Sequence, residues 1–295
     1  MKLSDIYKPS VPVLSFEVFP PKPDKPLETI TDVIGGFKEY SPDFISVTYG
    51  AGGGTRSRTI EIASCIRKIH GMEPMAHLTC VGQTHQDVDL FLEELKEHKI
   101  SNILALRGDP PRNNPNFDFS RGEFPYASDL ISYIRKQRGN EFGIAAAAYV
   151  EGHQDCKYID RDWENLKRKV DQGVDVLITQ LFYDNRMFFH FRDTVRRMGI
   201  KVPIVPGIMP LFNGKQIYRI MTLCGASMPA KVMIMLDKYK DSEEDMYRAG
   251  VEYAVKQIQE LMSEGVDGIH LELMNRLDLA KNVLGGLKMN RRCSS

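Results

Sequence analysis

The sequence has little of what marks a metal-binding or a secreted protein. Its 295 residues include five cysteines and seven histidines. No two cysteines form a Cys-x-x-Cys pair, and none stands at a zinc-finger spacing from a histidine. We therefore expect no dedicated metal site, and we expect reduced thiols in a reducing compartment.

An excess of one charge and a long apolar run are also missing. Lys+Arg and Asp+Glu both number 39, so the formal net charge is zero, and no long run of one sign suggests a nucleic-acid or membrane surface. No uninterrupted apolar run approaches the ~20 residues of a membrane span. The first nine residues lack the apolar segment of a signal peptide. We expect a soluble, cytoplasmic protein whose partners are small molecules or other proteins, with no nucleic acid and no membrane span.

Short β-rich apolar runs alternate with longer segments of helical period along the whole chain. The candidate strands are Val13–Phe19, Asp43–Tyr49, Glu73–Cys80, Asn102–Arg107, Gly143–Val150, Asp175–Phe182, Val202–Met209 and Asp267–Met274. The helical patterns are Pro26–Tyr40, Ser57–His70, Thr84–His98, Tyr126–Arg138, Arg161–Gly173, Asn185–Met198, Asn213–Cys224 and Ser242–Glu264, and a final helix after Asn275 is left open. Eight strands that each precede a helix predict an α/β fold, a (β/α)₈ TIM barrel, as a single domain over residues 1–295.

The carboxyl ends of the strands are where a barrel of this kind carries its active site. The most informative end is Leu106-Arg107-Gly108-Asp109-Pro110, which places a cation and a carboxylate beside Gly and Pro after an apolar strand. A Gly-Asp-Pro turn is by itself ordinary turn chemistry. Polar and small residues recur at the other strand ends, however, so we predict one site built from several of them.

Glu17 is the candidate general acid at the end of the first strand. It stands among Phe16, Val18 and Phe19, and a carboxyl group that loses hydration has a raised pKa and can hold a proton near neutrality. The alternative is a structural glutamate paired with a Lys or Arg inside the barrel, for which Lys22 is a candidate.

Four further features each leave two interpretations open. The glycine run Gly50–Thr55 suits either a loop that lets a flat ring or a phosphate approach the backbone or a plain flexible loop, and as a dinucleotide fingerprint it is weak. The strip Ala145–Ala148 either makes room for a large ligand or packs small against large residues. The segment Asn165–Lys169 is either a solvated helix face or, beside a helix N-terminus, a pyrophosphate clamp, which its position favours. His77 is either a buried core histidine, which is typical of a lone histidine, or a ligand or anion contact.

Six motifs in this order resemble the methylenetetrahydrofolate reductase family, over about Ser15 to Arg276, as a bacterial-type catalytic domain. They are Phe16-Glu17-Val18-Phe19-Pro20-Pro21-Lys22, Val47-Thr48-Tyr49-Gly50-Ala51-Gly52-Gly53, His77-Leu78-Thr79-Cys80, Leu106-Arg107-Gly108-Asp109-Pro110-Pro111, Asn165-Leu166-Lys167-Arg168-Lys169-Val170-Asp171 and Thr179-Gln180-Leu181-Phe182-Tyr183-Asp184. The resemblance implies a (β/α)₈ barrel with non-covalent FAD. It also implies reduction of 5,10-methylenetetrahydrofolate to 5-methyltetrahydrofolate by a ping-pong route through reduced flavin, in one-carbon metabolism and methionine biosynthesis.

The resemblance also implies residue roles. Glu17 is similar to the general acid that opens the folate ring to an iminium ion, and Asp109 to the carboxylate that holds the pterin and stabilises that cation. Further substrate contacts are implied for Gln180, Gln216 and Arg276. The implied FAD contacts are Thr48, Tyr49, Ala51, His77, Arg107, Gly108, Asp109, Tyr149, His153, Asp162, Asn165, Arg168 and Lys169.

The electron donor implied by the resemblance is NADH or NADPH. NADH-using bacterial members have a Phe that stacks on the nicotinamide nucleotide four residues after the Gln of a Lys-Gln pair, and here Ile220 stands at that distance from Gln216. Another reduced carrier, reached through a partner subunit, is therefore left open, and we expect a homo-oligomer or a hetero-complex. No counterpart of the regulatory domain of eukaryotic members is visible, so we expect no regulation by adenosylmethionine.

Two other functions compete with this one. The first is a flavin-bearing subunit of a multi-subunit reductase complex that depends on a partner for its electrons, although Glu17 and Asp109 argue against a purely electron-carrying role. The second is a barrel aldolase or lyase that acts on a phosphorylated substrate. It needs a Schiff-base Lys or metal ligands inside the barrel, whereas the sixth strand ends in Gln180 and we find no inward-facing Lys.

Overall fold

The computed structural model describes residues 1–7, 11–22, 24–49, 56–111, 114 and 116–287. The side chains of Arg56, Lys215, Gln216, Arg219 and Leu223 lie outside this description. The glycine run Gly50–Thr55, with the predicted FAD contact Ala51, also lies outside the described residues.

Nine parallel strands in the described ranges form one sheet that closes on itself as a barrel. They are β1 Val13–Val18, β2 Phe44–Val47, β3 Pro74–Thr79, β4 Asn102–Leu106, β5 Gly143–Ala148, β6 Val176–Thr179, β7 Ile204–Val205, β8 Gly207–Ile208 and β9 Gly268–Glu272. Their order is β7-β6-β5-β4-β3-β2-β1-β9-β8. Because β7 and β8 are neighbours in the chain, the two edges of the sheet meet there. The predicted TIM barrel is confirmed.

One predicted strand is wrong in detail, because Val202–Met209 is divided at Pro206. Proline has no N–H group and cannot donate to a neighbouring strand. β7 pairs with β6, and β8 pairs with β9. The carbonyl of Pro206 still accepts a hydrogen bond from the His270 N–H at 3.0 Å. The two short strands together therefore take the place of the seventh strand of the barrel.

Helices separate the strands and cover the outside of the barrel. In the described residues they are α1 Leu3–Ile6, α2 Glu28–Phe37, α3 Arg56–Lys68, α4 His85–Glu97, α5 Ala127–Arg138, α6 Ile159–Val170, α7 Asn185–Arg197, α8 Gly214–Cys224, α9 Ala230–Lys238, α10 Glu243–Ser263 and α11 Leu277–Gly285, with 3₁₀ turns at Lys38–Tyr40 and Phe119–Arg121. Ser242 caps α10 by accepting the Asp245 N–H at 3.2 Å. None of these helices is both long and apolar enough to cross a membrane.

The amino end of the barrel interior is filled by apolar side chains. Leu3 and Ile6 of α1 pack into a buried cluster with Val13, Phe44, Met75, Leu104, Ala145, Val176, Ile178 and Val205. We call this cluster the apolar plug. Asn102 holds α1 in it, since its Oδ1 accepts the Leu3 N–H and its Nδ2 donates to the Met1 carbonyl, both at 2.9 Å. This helix was not predicted, because four residues are too few for a helical period to show. With one end closed, the opposite end is left for a site. That the whole chain is one domain stays a prediction.

Candidate functional site

Four neighbouring strands carry polar residues at alternate positions, which places these side chains on the inner face of the barrel. The pairs are Ser15 and Glu17, Ser46 and Thr48, His77 and Thr79, and His270 and Glu272. The Ser15 Oγ lies 2.8 Å from His270 Nδ1, and the Ser46 Oγ lies 3.4 Å from His270 Nε2. The carboxyl half of the barrel interior is therefore a connected polar layer above the apolar plug.

Glu17 lies in this layer and is only 8% exposed. Its Oε2 lies 3.4 Å from His77 Nε2 and 3.7 Å from His270 Nε2, and it accepts a hydrogen bond from the Ser46 Oγ at 3.5 Å. Burial raises the pKa of Glu17 to about 7, against the opposing effect of the Ser46 hydrogen bond. The predicted rise of this pKa is confirmed.

The two histidines beside Glu17 are neutral at pH 7. Burial lowers the pKa of His77 to about 3, with His270 adding to the effect. Burial also lowers the pKa of His270 to about 4, although the charge of Glu272 opposes this. The contacts of Glu17 with these imidazoles are therefore not ion pairs at neutral pH, and they do not favour the carboxylate as a cation would.

The alternative role for Glu17, a structural pair with a Lys or Arg, finds no support. Within the described residues no Lys or Arg forms an ion pair with it, and Lys22 is exposed. The physical origin of the raised pKa also differs from our expectation. Phe16 and Val18 belong to the core outside the barrel interior. The loss of hydration therefore comes from the enclosed polar layer and not from the sequence neighbours.

Glu272 is a second, partly buried carboxyl group, to which the sequence interpretation gave no role. It is the register partner of Glu17 across β1 and β9. Burial, and after it the charge of Glu17, raise its pKa to about 8 against the opposing effect of His270. The signal in the sequence was the alternation His270-Leu271-Glu272. Residues two positions apart in a strand lie on the same face of the sheet, and here that face is the inside of the barrel.

A cavity of about 1180 Å³ opens at the carboxyl ends of β3, β4, β5 and β6. The predicted FAD contacts that line it are Tyr49, Arg107, Gly108, Asp109, Tyr149, His153, Asp162, Asn165, Arg168 and Lys169, and the predicted substrate contact Gln180 lines it too. Thr48 and His77 are not among the lining residues; Thr48 follows β2, and His77 lies in the polar layer beside Glu17. Residues far apart in the sequence thus meet in one cavity.

The strand end at Arg107, Gly108 and Asp109 forms part of the cavity wall. The Arg107 guanidinium pairs with Asp155 at 2.6 Å and lies 4.5 Å from the centre of the Phe119 ring. Gly108 has a φ of +85°, and a Cβ there would lie 2.7 Å from Val81 Cγ1. Packing and backbone conformation therefore require this glycine whatever it binds, while Asp109 is exposed and borders the cavity.

One face of α6 lines the other side of the cavity through Asp162, Asn165 and Lys169, which are spaced three and four residues apart. The Lys169 Nζ donates to the carbonyl of Ala147 at 2.5 Å. Burial lowers the pKa of Lys169 to about 8, and Asp162 opposes this shift. At pH 7 the group is therefore mostly a cation.

Two expectations about this helix are corrected. Because α6 spans Ile159–Val170, Arg168 and Lys169 lie in its last turn, so the positive end of the helix dipole does not assist them in holding a phosphate. Lys169 also lines the cavity as a partly buried Lys, although no inward-facing Lys was expected from the barrel strands. It reaches the cavity from a helix, not from a barrel strand.

The alanine strip of β5 lies partly at the cavity and partly in the packed core. Ala147 lines the cavity. Ala145 packs in the apolar plug, and Ala146 and Ala148 pack against the covering helices. The small side chains therefore make room on the inner face near the cavity and fill space elsewhere.

The remaining predicted substrate contacts follow different strands. The Gln180 Oε1 accepts the N–H of Leu181 at 2.9 Å at the end of β6. The Arg276 guanidinium lies 5.0 Å from the centre of the Phe212 ring and 5.3 Å from that of Tyr247, and its Nε donates to Asp278 at 3.0 Å. The side chain of Gln216 lies outside the described part of the chain. Arg276 is thus on the β9 side of the barrel and Gln180 on the β6 side.

Asn275 ties the ends of β1 and β9 together directly above Glu17 and Glu272. Its Oδ1 accepts the Phe19 N–H at 2.9 Å and its Nδ2 donates to the Phe19 carbonyl at 2.8 Å. Its φ of +58° is a left-handed conformation that Asn tolerates better than most residues.

We expect Asn275→Ala to lower the free energy of unfolding by about 2–3 kcal/mol, because both hydrogen bonds and the tolerated backbone conformation are lost. Urea unfolding measures this. The control Asn282→Ala, which removes an exposed hydrogen bond to Tyr247, should cost less than about 1 kcal/mol. Equal effects of the two variants would contradict a bracing role for Asn275.

The fold and the site together define a class: a closed (β/α)₈ barrel with a large cavity at the carboxyl ends of its strands and a proton-holding carboxyl group in the adjoining interior. Residues 2–288 match the family model for methylenetetrahydrofolate reductase, and the chain belongs to that family.

Named relatives agree with this assignment. The 5,10-methylenetetrahydrofolate reductase of Escherichia coli is 35% identical over 267 residues, which cover 90% of this chain and 88% of the relative. Methylenetetrahydrofolate reductase (NADH) 1 of Arabidopsis thaliana is 36% identical over 283 residues, 93% of this chain and 48% of the relative. The chain therefore spans about half the length of the plant relatives that it matches.

A solved structure supports the fold alone. A protein from Clostridium thermocellum, described as binding two copies of 5-methyl-5,6,7,8-tetrahydrofolic acid, superposes with a TM-score of 0.67 over 97% of both chains at 14% sequence identity.

Proposed function

We propose that this chain catalyses the FAD-dependent reduction of 5,10-methylenetetrahydrofolate to 5-methyltetrahydrofolate by a ping-pong reaction, with NADH, NADPH or another reduced carrier as electron donor. The observation that carries the proposal is the cavity lined by residues that match the FAD contacts of the family, next to a buried carboxyl group that can hold a proton at neutral pH. Membership of the family supports the reaction class, an oxidoreductase.

The residues of the cavity fit FAD in size and chemistry. The volume of about 1180 Å³ exceeds the ~300–1,000 Å³ typical of pockets for drug-sized ligands, so a dinucleotide has room. Lys169 and Arg168 offer positive charge for a pyrophosphate. Gly82, Ala105 and Ala147 line the cavity with little side-chain bulk, which suits a flat ring. When bound, the flavin supplies the two electrons of the reduction.

Glu17 acts as the general acid in this proposal. Its raised pKa leaves a large share of the group protonated at neutral pH, and the neutral His77 and His270 do not draw that proton away. Glu17 gives the proton to a ring nitrogen of the folate, which opens the five-membered ring to a cationic iminium. Because the protonated form is the active one, this step is expected to slow at alkaline pH, where Glu17 loses that proton.

Four polar residues hold the folate in this proposal: Asp109, Gln180, Gln216 and Arg276. The Asp109 carboxylate borders the cavity and is exposed, so it can meet the pterin and stabilise the iminium cation that forms there. Gln180 lines the same cavity, and Gln216 and Arg276 complete the proposed contacts. The Arg276 side chain is held in place by Asp278 and by two aromatic rings.

The donor is tested by anaerobic reduction of the bound flavin with NADH, NADPH and a low-potential carrier in turn. Reduction by either nicotinamide nucleotide supports an enzyme that works alone. Reduction only by the low-potential carrier, or only after a partner subunit is added, favours the partner-dependent reductase subunit. Purified protein that neither contains nor binds FAD contradicts both.

We expect Lys169→Met to weaken FAD binding by about 10–100-fold, because a charge-assisted hydrogen bond to the cofactor is lost. The dissociation constant is measured from the quenching of FAD fluorescence on binding.

The matched control is Lys167→Met on the same helix, where the side chain only pairs with Asp171 at the surface. It should change FAD affinity by less than about twofold and cost no more than about 0.5 kcal/mol of stability. Equal effects of the two substitutions on affinity would refute the assignment of Lys169.

A further inference from the structure

Glu272 and Glu17 face the same interior from adjacent strands. They are register partners in the parallel pair β1 and β9, and paired residues of neighbouring strands point to the same face of a sheet. The Glu272 Oε1 lies 3.6 Å from the position that a Cβ on Gly207 would take. The carboxyl group of Glu272 therefore extends over the bare backbone of β8, where the lack of a side chain leaves it space.

No cation neutralises these two carboxyl groups in the part of the chain that the structure describes. The groups that face them from the surrounding elements are Ser46 on β2, His77 on β3, Tyr183 after β6, Cys224 on α8 and His270 on β9. Both histidines are neutral at pH 7. Burial and the charges of Glu272, Asp109 and Glu17 together raise the pKa of Cys224 to about 12. The three carboxyl groups therefore all lie near this thiol.

Two adjacent carboxyl groups in an enclosed site without a cation cannot both ionise without a large cost. The usual outcome is that the pair loses its protons in two steps and holds one proton between them, and the two ionisations belong to the pair as a whole. The pKa values of about 7 for Glu17 and about 8 for Glu272 agree with this. The Tyr183 hydroxyl, which is buried and has no hydrogen-bond partner among the described residues, stays neutral because burial and the charge of Glu272 raise its pKa.

We propose that Glu272 is a positioning residue that shares one proton with Glu17, so that Glu17 remains able to protonate the folate above neutral pH. The proposal rests on the proposed function and deepens it. In the step itself the O–H bond of Glu17 breaks and an N–H bond forms on the folate. The pair has then given up its one shared proton, and solvent returns a proton to it after the product leaves.

The test is the pH dependence of the folate half-reaction in the flavin-loaded wild type and in Glu272→Gln. With Gln at position 272 the general acid titrates alone, so we expect rates within about threefold of wild type at pH 6 and roughly tenfold below wild type at pH 8.5. The control Glu264→Gln, the same chemical change at an exposed position of the chain, should keep the wild-type profile. A Glu272→Gln profile with the same midpoint as wild type, whatever its height, overturns the proposal.

A second measurement decides the matter if Glu272→Gln does not fold. Difference infrared spectroscopy of the protein without folate follows the C=O band of protonated carboxyl groups. We expect that band to fade in two steps between about pH 6 and pH 9 in the wild type and in one step in Glu17→Gln. No change in this range contradicts a shared proton.

The two proposals fail in different ways. A chain that does not reduce methylenetetrahydrofolate refutes the proposed function, while the infrared titration still decides whether the proton is shared. A chain that reduces it with an unchanged pH profile in Glu272→Gln refutes only the role of Glu272.

Discussion

We expect Glu17→Gln to slow the reduction of 5,10-methylenetetrahydrofolate by about 10²–10⁴-fold, the range over which general acids act. Gln has the shape of Glu but no proton of suitable acidity. The polar layer around position 17 is formed by Ser46, His77 and His270, and it should accept the amide without rearrangement. The loss should therefore be chemical and not structural.

Rapid mixing of each half-reaction measures this effect. Reduction of the flavin by its donor should change by less than about threefold, because Glu17 takes no part in it, whereas oxidation of the reduced flavin by the folate should nearly stop. Equal losses in both half-reactions would refute Glu17 as the general acid and point to a damaged flavin site.

The second large effect is expected from Gly250→Ala on α10. A Cβ at this position would lie 1.4 Å from the carbonyl oxygen of Leu211, whereas a carbon and a carbonyl oxygen in contact normally stay about 3.3 Å or more apart. Both groups are backbone or fixed to it, so no rotamer change relieves the overlap. We expect a loss of at least about 3 kcal/mol of stability.

This effect has the opposite sign to the usual one, because Gly to Ala inside a helix normally stabilises by about 1 kcal/mol. The control Gly285→Ala on α11, where nothing lies within 4 Å of the new Cβ, should be neutral or slightly stabilising. Leu211 lies three residues before the start of α8, the helix that carries the proposed folate contact Gln216. A Gly250→Ala protein that still folds should therefore also show a raised KM for folate. Thermal unfolding and steady-state kinetics measure the two results, and equal melting temperatures for the two variants would contradict the tight contact.

Hydrophobic periodicity was sufficient to predict the barrel. The strands are short apolar runs, and each carboxyl end that the sequence singled out does lie at one end of a closed sheet. The strand predicted over Val202–Met209 was the exception, because Pro206 divides it in two. A proline cannot donate a hydrogen bond to a neighbouring strand, and the apolar pattern of the segment does not show this.

The candidate site was predicted in part. Residues such as Tyr149 and Lys169 line one cavity although nothing in their spacing shows that they meet; only the family motifs placed them together. The raised pKa of Glu17 was predicted from Phe16 and Val18, but it arises from the barrel interior. A single sequence shows which residues are neighbours along the chain, whereas the burial of a side chain depends on its neighbours in space.

Glu272 shows what was missed. Its strand was recognised, but its partners Glu17 and Gly207 lie on strands that are distant in the sequence. The register between β1 and β9 is set by the closure of the whole barrel, which no local pattern contains. Asn275 escaped notice for the same reason, since its contact is with Phe19.

The most direct test of the account is to reduce the bound flavin under anaerobic conditions and then mix the protein with 5,10-methylenetetrahydrofolate. We expect the flavin to be reoxidised with formation of one 5-methyltetrahydrofolate per flavin, at a rate that falls at alkaline pH, where Glu17 has lost the proton that it donates. A reduced flavin that stays reduced in the presence of the folate would contradict the account.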